Sequence, residues 1–201
     1  MKKPPKSKIL IACEYSGIVR DSWIKAGYNA ISCDILPSES PGPHYQGNLM
    51  DILNDDWNLI IAFPPCTDLS NAQAGPILNQ KIADGRSGQA LEFIKKIYNA
   101  ADHICIENPV SGYLNDHFRP YDQIVQPYYF GHNYRKKTCL WLKNLPFLIS
   151  TCYQEPKYNL VNEGSKRQRT PGLFKKAKDR SKFHTGIADA MVHQWLHLFT
   201  N

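Results

Sequence analysis

The sequence predicts an α/β fold with a mostly parallel central sheet and helices on both of its faces. Two observations predict this class. Short apolar runs alternate with stretches of helical periodicity over the first two-thirds of the chain. The apolar runs show little in–out alternation, so their strands should be buried on both faces, as in parallel sheets. A chain of 201 residues suits one domain, and we expect a single domain over 1–201.

The first predicted unit is a strand, a helix and a second strand. The first strand covers 8–13 (KILIAC), and the helix covers 17–26 and ends at Gly27. The second strand covers 29–35 (NAISCDI), and a loop rich in proline, serine and glycine follows at 37–43. This order of elements is typical of a parallel βαβ unit.

The second unit continues the same order. An apolar strand at 58–63 stops at Pro64 and Pro65. A helix is predicted over 88–100, because its apolar residues can share one face, and another strand covers 103–108 (HICIEN). These elements add two strands to the predicted parallel sheet.

The last third of the chain has a different pattern. Two strands at 124–130 and 138–142 are joined by a polar turn, and an amphipathic helix closes the chain at 187–199. Residues 151–182 are polar, basic and without apolar periodicity. We therefore expect them to form a long surface segment with no core of its own.

Charge and cysteine usage limit the partners. The net charge of +6 suits a polyanion, and eight basic residues but one acidic residue lie between Lys166 and Lys182. Six cysteines are scattered singly, which predicts neither a metal site nor a disulfide scaffold. No apolar run approaches the roughly 20 residues of a membrane span. We expect a cytoplasmic, monomeric protein with no membrane association.

Polar and reactive residues follow the predicted strands at the point where each strand ends. In an open α/β sheet, ligands bind outside the carboxyl ends of the strands, so this placement predicts an enzyme with its site on one edge. The residues at these ends are Glu14, Tyr15, Ser16 and Gly17 after the first strand, Asp34 at the second, Cys66 after the proline pair and Glu107 in the strand at 103–108.

Asp34 is a candidate ribose ligand. A carboxylate at the end of the second strand can accept hydrogen bonds from vicinal hydroxyls. A turn or capping aspartate fits the same spacing equally well. The chain has no G-x-G-x-x-G sequence and no P-loop, which argues against phosphate binding at the first turn.

Cys66 and Glu107 form a candidate catalytic pair. The two prolines before Cys66 give an extended approach that can direct the thiol into a cleft. Glu107 leaves the neighbouring strand and is followed by Asn108 and Pro109. A thiol and a carboxylate on adjacent strand ends can act as a nucleophile and an acid.

Taken in order, these segments resemble the motifs of the DNA cytosine-C5 methyltransferases. The similarity covers most of the chain and is greatest to short, phage-type members that lack a full target-recognition domain. It implies the Rossmann-like fold of the S-adenosylmethionine-dependent methyltransferases. The matching segments are ACEYSG (12–17), CDI (33–35), GNLMDIL (47–53), FPPCTDLS (63–70), IENP (106–109), FGHNYRKK (130–137) and GIADAM (186–191).

The resemblance implies a role for each matching residue. Cys66 would attack carbon 6 of cytosine, Glu107 would hold the N3 and amino edge of the base, and Arg135, or Lys136 in a shifted register, would contact the base or its backbone. S-adenosylmethionine is the implied cofactor. Its implied binding residues are Glu14, Tyr15, Ser16, Gly17, Asp34, Ile35, Asn48 and Pro64.

The resemblance also implies DNA as the partner. The basic insert at 151–182 stands where larger relatives carry a recognition domain, and it leaves single strands, RNA and free nucleotides open as substrates. A run rich in lysine and arginine is also typical of a solvated surface. The implied nucleic-acid contacts are Arg135, Lys136, Lys137, Lys166, Arg167, Arg169, Lys175 and Lys176.

Two other classes fit part of the pattern. An exocyclic-amino methyltransferase shares the proline pair, but Phe63 and Cys66 replace the polar and aromatic residues of its motif. A catalytically degenerate, nucleic-acid-binding protein fits the altered first turn, where Tyr15 replaces a glycine. Tyr128, Tyr129 and Tyr134 are expected to be core or sheet residues rather than base-stacking ones.

Overall fold

A seven-stranded sheet organises the part of the chain that the structure describes. The computed structural model describes residues 7–69, 76–159 and 182–199. The strands are β1 (Lys8–Ala12), β2 (Asn29–Asp34), β3 (His44–Gln46), β4 (Leu59–Ala62), β5 (His103–Asn108), β6 (Gln123–Val125), β7 (Tyr134–Arg135), β8 (Thr138–Lys143) and β9 (Tyr158–Asn159).

The sheet is mostly parallel. Its strand order is β3-β2-β1-β4-β5-β8-β6, and the first five strands in that order run parallel to one another. β8 is antiparallel to both of its neighbours, β5 and β6. β7 and β9 pair separately as a short parallel ribbon. The predicted α/β class with a mostly parallel sheet is confirmed.

Helices cover both faces of this sheet. The α-helices are α1 (Ile18–Lys25), α2 (Pro76–Ala83), α3 (Arg86–Asn99), α4 (Gly112–His117) and α5 (Thr185–Trp195). Short 3-10 turns lie at Leu49–Asp51, Pro127–Tyr129 and Leu196–Phe199. No helix in the described ranges is long and apolar enough to cross a bilayer.

Alternate residues of the strands build two separate cores. Ile9 and Ile11 of β1 face a core that includes Trp23 of α1 and Trp195 of α5. Leu10, between them, faces a second core that α3 covers with Leu91, Ile94 and Ile97. Because successive side chains of a strand point to opposite faces, an unbroken apolar run supplies both cores at once.

The strand predicted at 124–130 is too long. β6 ends at Val125, and the chain turns through Pro127–Tyr129, because a proline has no N–H to donate to a ladder. Tyr129, expected in the core or the sheet, is therefore 37% exposed. β6 pairs antiparallel with β8, the second of the two strands predicted in this region.

The basic insert predicted at 151–182 is described over 151–159 and at 182. Cys152 forms a bridge with Phe130, and Asn159 pairs with Arg135 in the ribbon. Residues 160–181 lie outside the described residues. Five of the implied nucleic-acid contacts therefore fall outside the description, namely Lys166, Arg167, Arg169, Lys175 and Lys176.

Candidate active site

The candidate catalytic pair lies where β4 and β5 end side by side. These strands are parallel neighbours, with Ala62 opposite Ile106, so Glu107 and the turn after β4 leave the sheet at the same edge. Asn108 is buried, and its side-chain amide donates a 3.0 Å hydrogen bond to the carbonyl oxygen of Pro64. This bond fixes the turn that carries Cys66 against the end of β5.

A residue of β8, the strand next to β5 in the sheet, orients the carboxylate of Glu107. The hydroxyl of Thr138, the buried first residue of β8, donates a short hydrogen bond to Oε1 of Glu107. The antiparallel register of β5 and β8 brings the two side chains together. A carboxylate with one oxygen fixed in this way has a defined orientation at the sheet edge.

The thiol of Cys66 is half-buried among charges of both signs. Burial raises its pKa, and the negative charge of Glu107 raises it further. Its own backbone N–H, Lys136 and Lys81 lower the pKa, but their effect is smaller than the increase. The unliganded thiol is therefore held in the protonated form, with both an acid and cations close enough to shift that balance.

Lys136, the residue directly after β7, is the basic residue whose charge acts on Cys66, whereas Arg135 at the end of β7 is not among the groups that shift the pKa of the thiol. Adjacent residues of an extended segment point in opposite directions. Arg135 is exposed, and its guanidinium carbon lies 5.9 Å from the ring centre of Tyr128. Lys136 is half-buried, and its charge acts on Cys66 and on His184. Of the two registers that the sequence left open, this geometry favours the shifted one.

The turn after Cys66 is anchored from two helices. Lys81 of α2 is 4% exposed, donates to the carbonyl oxygen of Thr67, and lies 3.9 Å from the carboxylate of Asp68. The hydroxyl of Ser87 in α3 donates to the carbonyl oxygen of Asp68 over 2.7 Å. These contacts hold the backbone, and they leave the Cys66 side chain as the reactive group of the turn.

At the end of β1, the implied cofactor residue Glu14 has an internal partner. Its carboxylate is 4% exposed and accepts hydrogen bonds from the N–H of Val19 at 2.8 Å and from the hydroxyl of Ser16 at 3.0 Å. Burial raises the pKa of Glu14. The side chains of Glu14 and Ser16 thus cap α1, and their polar atoms are engaged within the protein.

Arg20 organises the loop beside this turn. It is fully buried and donates to the hydroxyls of Ser32 and Ser38 and to the carbonyl oxygen of Ser40. Gly17 has φ +78°, and an added Cβ would lie 2.5 Å from the guanidinium of Arg20. The glycine therefore serves the packing of Arg20, a residue that the sequence analysis did not select.

The remaining implied cofactor residues surround the end of β2. Oδ1 of Asp34 accepts from the N–H of Leu36 at 2.9 Å, and the side chain of Asn48 accepts from the N–H of Met50 at 3.0 Å. Both side chains therefore cap turns, as the alternative interpretation of Asp34 expects. Ile35 beside them is 76% exposed. Tyr15 is half-buried, whereas Pro64 is buried.

Two histidines and a tyrosine connect α5 to β7. The hydroxyl of Tyr134 lies 2.9 Å from Nδ1 of His184, and Nε2 of His132 accepts from the N–H of Gly186 at 3.2 Å. Burial lowers the pKa of His132, and burial with the nearby charge of Lys136 lowers that of His184 well below its ordinary value. This neutral cluster fixes the start of α5 against β7 and the residues around it.

Three successive residues before α5 each contact a different part of the sheet edge. The first contact is an ion pair of 2.8 Å, the second is between two rings 4.7 Å apart, and the third is the tyrosine hydrogen bond just described. We call these residues the clasp. The contacts are Lys182 with Glu39, Phe183 with Phe63, and His184 with Tyr134.

Two surface clefts lie away from this edge. One of about 270 Å³ is at the opposite edge, lined in part by Ser7, Asn58 and His103 at the starts of strands. Another of about 640 Å³ lies between Met50 and Lys95. The described residues contain no group of three or more His, Cys, Asp or Glu that could hold a metal.

The fold is that of a known methyltransferase. The structure of the Entamoeba histolytica methyltransferase EhMeth matches with a TM-score of 0.50 and 18% identity over 76% of this chain and 58% of that chain. The S. pombe Dnmt2 methyltransferase matches with a TM-score of 0.44 and 15% identity over 70% of this chain and 51% of that chain. The chain thus spans little more than half the length of these proteins. The sequence matches no family model and no curated protein.

Proposed function

We propose that this chain is an S-adenosylmethionine-dependent methyltransferase that methylates carbon 5 of cytosine in DNA, with Cys66 as its nucleophile. One observation carries the proposal. Cys66 and Glu107 lie at the ends of adjacent parallel strands, in a fold shared with a methyltransferase, and the charges of Glu107 and Lys136 both reach the thiol.

The chemistry needs a thiolate because carbon 5 of cytosine is a poor nucleophile. Attack of the Cys66 sulfur on carbon 6 forms a C–S bond, and the electron pair of the C5–C6 double bond makes carbon 5 nucleophilic. Carbon 5 then takes the methyl group of the S-adenosylmethionine sulfonium, which would leave as a neutral thioether. Loss of the proton from carbon 5 to water and cleavage of the bond between Cys66 and carbon 6 restore the double bond and release the thiolate.

Glu107 and Lys136 have opposite roles in this reaction. A protonated Glu107 donates to N3 of the base and neutralises the charge that builds up during attack. In that form it carries no charge, so it also stops raising the pKa of Cys66. Lys136 stabilises the thiolate throughout. Base binding to a protonated Glu107 would therefore favour the nucleophilic form of Cys66.

The residues at the end of β2 fit S-adenosylmethionine. The second oxygen of Asp34 can accept from the ribose hydroxyls, while Oδ1 is held by the N–H of Leu36. The exposed side chains of Ile35 and Leu36 offer an apolar surface for the adenine ring. Bound there, the cofactor would supply an electrophilic methyl group beside the thiol.

We further propose that the chain is a short, phage-type form of the enzyme. Its basic insert at 151–182 would replace a full recognition domain, with Lys137 and the cations of that insert contacting phosphates. A base in a duplex must be flipped out to reach Cys66. The short length of the insert favours a short target sequence.

The structure gives no support to the exocyclic-amino alternative. That chemistry needs a polar acceptor at position 63, to bond the amino group of the base. The ring of Phe63 instead packs against Phe183 of the clasp, with centroids 4.7 Å apart.

The decisive experiment uses DNA with 5-fluorocytosine. Fluorine cannot leave carbon 5 as a cation, so the adduct should persist and appear as a mass shift on the peptide that contains Cys66. Cys66→Ser should give no adduct and no turnover, whereas Cys152→Ser, which alters an exposed thiol, should retain both.

Parallel reactions with duplex DNA, single-stranded DNA, tRNA and dCMP identify the substrate. Methylation of cytosine carbon 5 without Cys66 would refute the mechanism. Methyl on an exocyclic nitrogen would move the chain to the amino class. Cofactor binding without transfer to any of the four substrates would indicate a degenerate member.

A further inference from the structure

A cluster of tyrosines lies on the outer side of β7. The ring of Tyr128 lies 4.4 Å from that of Tyr129 and 5.9 Å from that of Tyr153, and the guanidinium of Arg135 is 5.9 Å from its centre. Tyr153 is 59% exposed and Tyr129 37% exposed. We call these four residues the aromatic patch. It offers aromatic rings and a cation together at the surface.

The patch is built on a fixed backbone. The N–H groups of Thr151 and Cys152 both donate to the carbonyl oxygen of Tyr129 over 3.1 Å, and that of Gln154 donates to the carbonyl oxygen of Tyr128 over 2.8 Å. Tyr128 also donates a hydrogen bond to the hydroxyl of Tyr129, which raises the pKa of Tyr128 to about 12. The rings are held in place before any partner arrives, which lowers the entropic cost of binding.

The patch combines rings with a cation, which fits a partner that has flat rings and negative charge. The guanidinium of Arg135 lies over Tyr128, and one carboxylate, Glu155, lies beside Tyr153. The hydroxyl of Tyr153 donates to that carboxylate over 3.0 Å. Exposed rings beside a guanidinium match flat bases joined by phosphates, because bases stack on the rings and arginine binds the phosphate. A purely apolar partner would leave the cation unexplained.

The patch also lies next to the candidate site. Arg135 ends β7 and is exposed, and Lys136 follows it directly in the chain and is half-buried. The charge of Lys136 acts on Cys66, while the guanidinium of Arg135 lies over the ring of Tyr128. A strand whose target base enters the site can therefore place its neighbouring bases on the patch.

The geometry points to the aromatic patch as a stacking site for unpaired bases of a single nucleic-acid strand. This inference deepens the proposed function, because it gives the polynucleotide substrate a binding surface beside Cys66. The contact is independent of base identity, since every base has a face that can stack.

Fluorescence anisotropy without cofactor tests the site. The probe is a labelled oligothymidylate of about 12 nucleotides, a length within the usual range of such sites, compared with an abasic strand that has the same phosphates. Tyr153→Ala should weaken binding of the oligothymidylate about tenfold and leave binding of the abasic strand unchanged. Tyr153→Phe keeps the ring and should bind like the wild type.

Two further variants separate stacking from general effects. Phe147 is 60% exposed but outside the patch, so Phe147→Ala should not change binding. Arg135→Ala should weaken the binding of both strands. It should also reduce the slope of log affinity against log salt by about 1. Photocrosslinking of a 5-iodouracil strand should label Tyr129 or Tyr153.

The inference is overturned if the wild type binds both strands equally, or if Tyr153→Ala and Phe147→Ala behave alike. Failure of the proposed reaction has a different signature. It would leave the preference for the base-bearing strand intact while no methyl group reaches cytosine.

Discussion

The two halves of the sheet edge use charged residues in opposite ways. At the ends of β4 and β5, Glu107 and Lys136 act on a thiol that is only half-buried. At the ends of β1 and β2, Glu14 and Arg20 are buried and their hydrogen bonds go to the protein itself. In one half the charges act on a reactive side chain, and in the other they hold together the turn after β1 and the loop after β2.

This difference shows why residue type alone does not identify a ligand. Glu14 and Asp34 both follow a strand and both are acidic, yet one caps a helix with its whole carboxylate. The other has one oxygen engaged in a turn and lies beside exposed apolar side chains. Burial and hydrogen-bond partners separate them.

The largest expected effect is on the stability of the fold, at the half of the sheet edge formed by the ends of β1 and β2. Replacing Arg20 by Met should lower the free energy of unfolding by about 3 kcal/mol, because several buried oxygen atoms lose their donor together. Urea denaturation measures the change. Lys25→Met on the exposed side of the same helix is the control and should stay within about 0.5 kcal/mol. Equal effects of the two changes would show that Arg20 is not the organiser of the loop.

A smaller effect distinguishes the two acidic residues. Glu14→Ala should destabilise the fold by about 2 kcal/mol, because the first N–H groups of α1 lose a charged acceptor. Asp34→Ala should cost less than about 1 kcal/mol of stability. It should weaken the binding of S-adenosylmethionine by about 1.5–3 kcal/mol. Calorimetric titration and denaturation of both variants measure these values. A Glu14→Ala variant that keeps the stability of the wild type but loses cofactor binding would contradict this distinction between the two residues.

The smallest effect concerns the reactivity of Cys66. Glu107→Gln removes a negative charge and should lower the pKa of the thiol, whereas Lys136→Met removes a positive charge and should raise it. Alkylation requires the thiolate, so its rate at a fixed pH below the pKa should rise in the first variant and fall in the second.

Iodoacetamide labelling of the Cys66 peptide, followed by mass spectrometry across pH, measures both shifts. A Cys152→Ser background removes the exposed competing thiol. Shifts in the same direction for the two variants would mean that the charges act through a change in structure and not through their field.

The sequence was sufficient for the elements that bury apolar runs. β1, β4 and β5 lie within one or two residues of the predicted strands, because uninterrupted apolar runs have few alternatives to a doubly covered sheet. β3 was not predicted, since His44–Gln46 is short and has no apolar pattern. The strand at 124–130 was overextended, because its apolar composition hid the effect of Pro127.

Some residues of the candidate site could also be predicted from the sequence, and others could not. Cys66 and Glu107 were selected because each follows or ends a strand, which is a local property of the sequence. Asn108 and Thr138 were not, because their roles depend on partners 44 and 31 residues away in the chain. The choice between Arg135 and Lys136 also required the structure, since a shift of one residue exchanges the two sides of a strand.

The contacts of the clasp restrict where the chain can accept insertions or deletions. Lys182, Phe183 and His184 are consecutive, and each contacts a separate element of the sheet edge. Immediately after them, a Cβ on Gly186 would lie 1.8 Å from the carbonyl oxygen of Phe130. Inserting one residue anywhere within 182–186 would displace several of these contacts together. Related sequences should therefore keep this spacing constant, and variation in length should accumulate before Lys182.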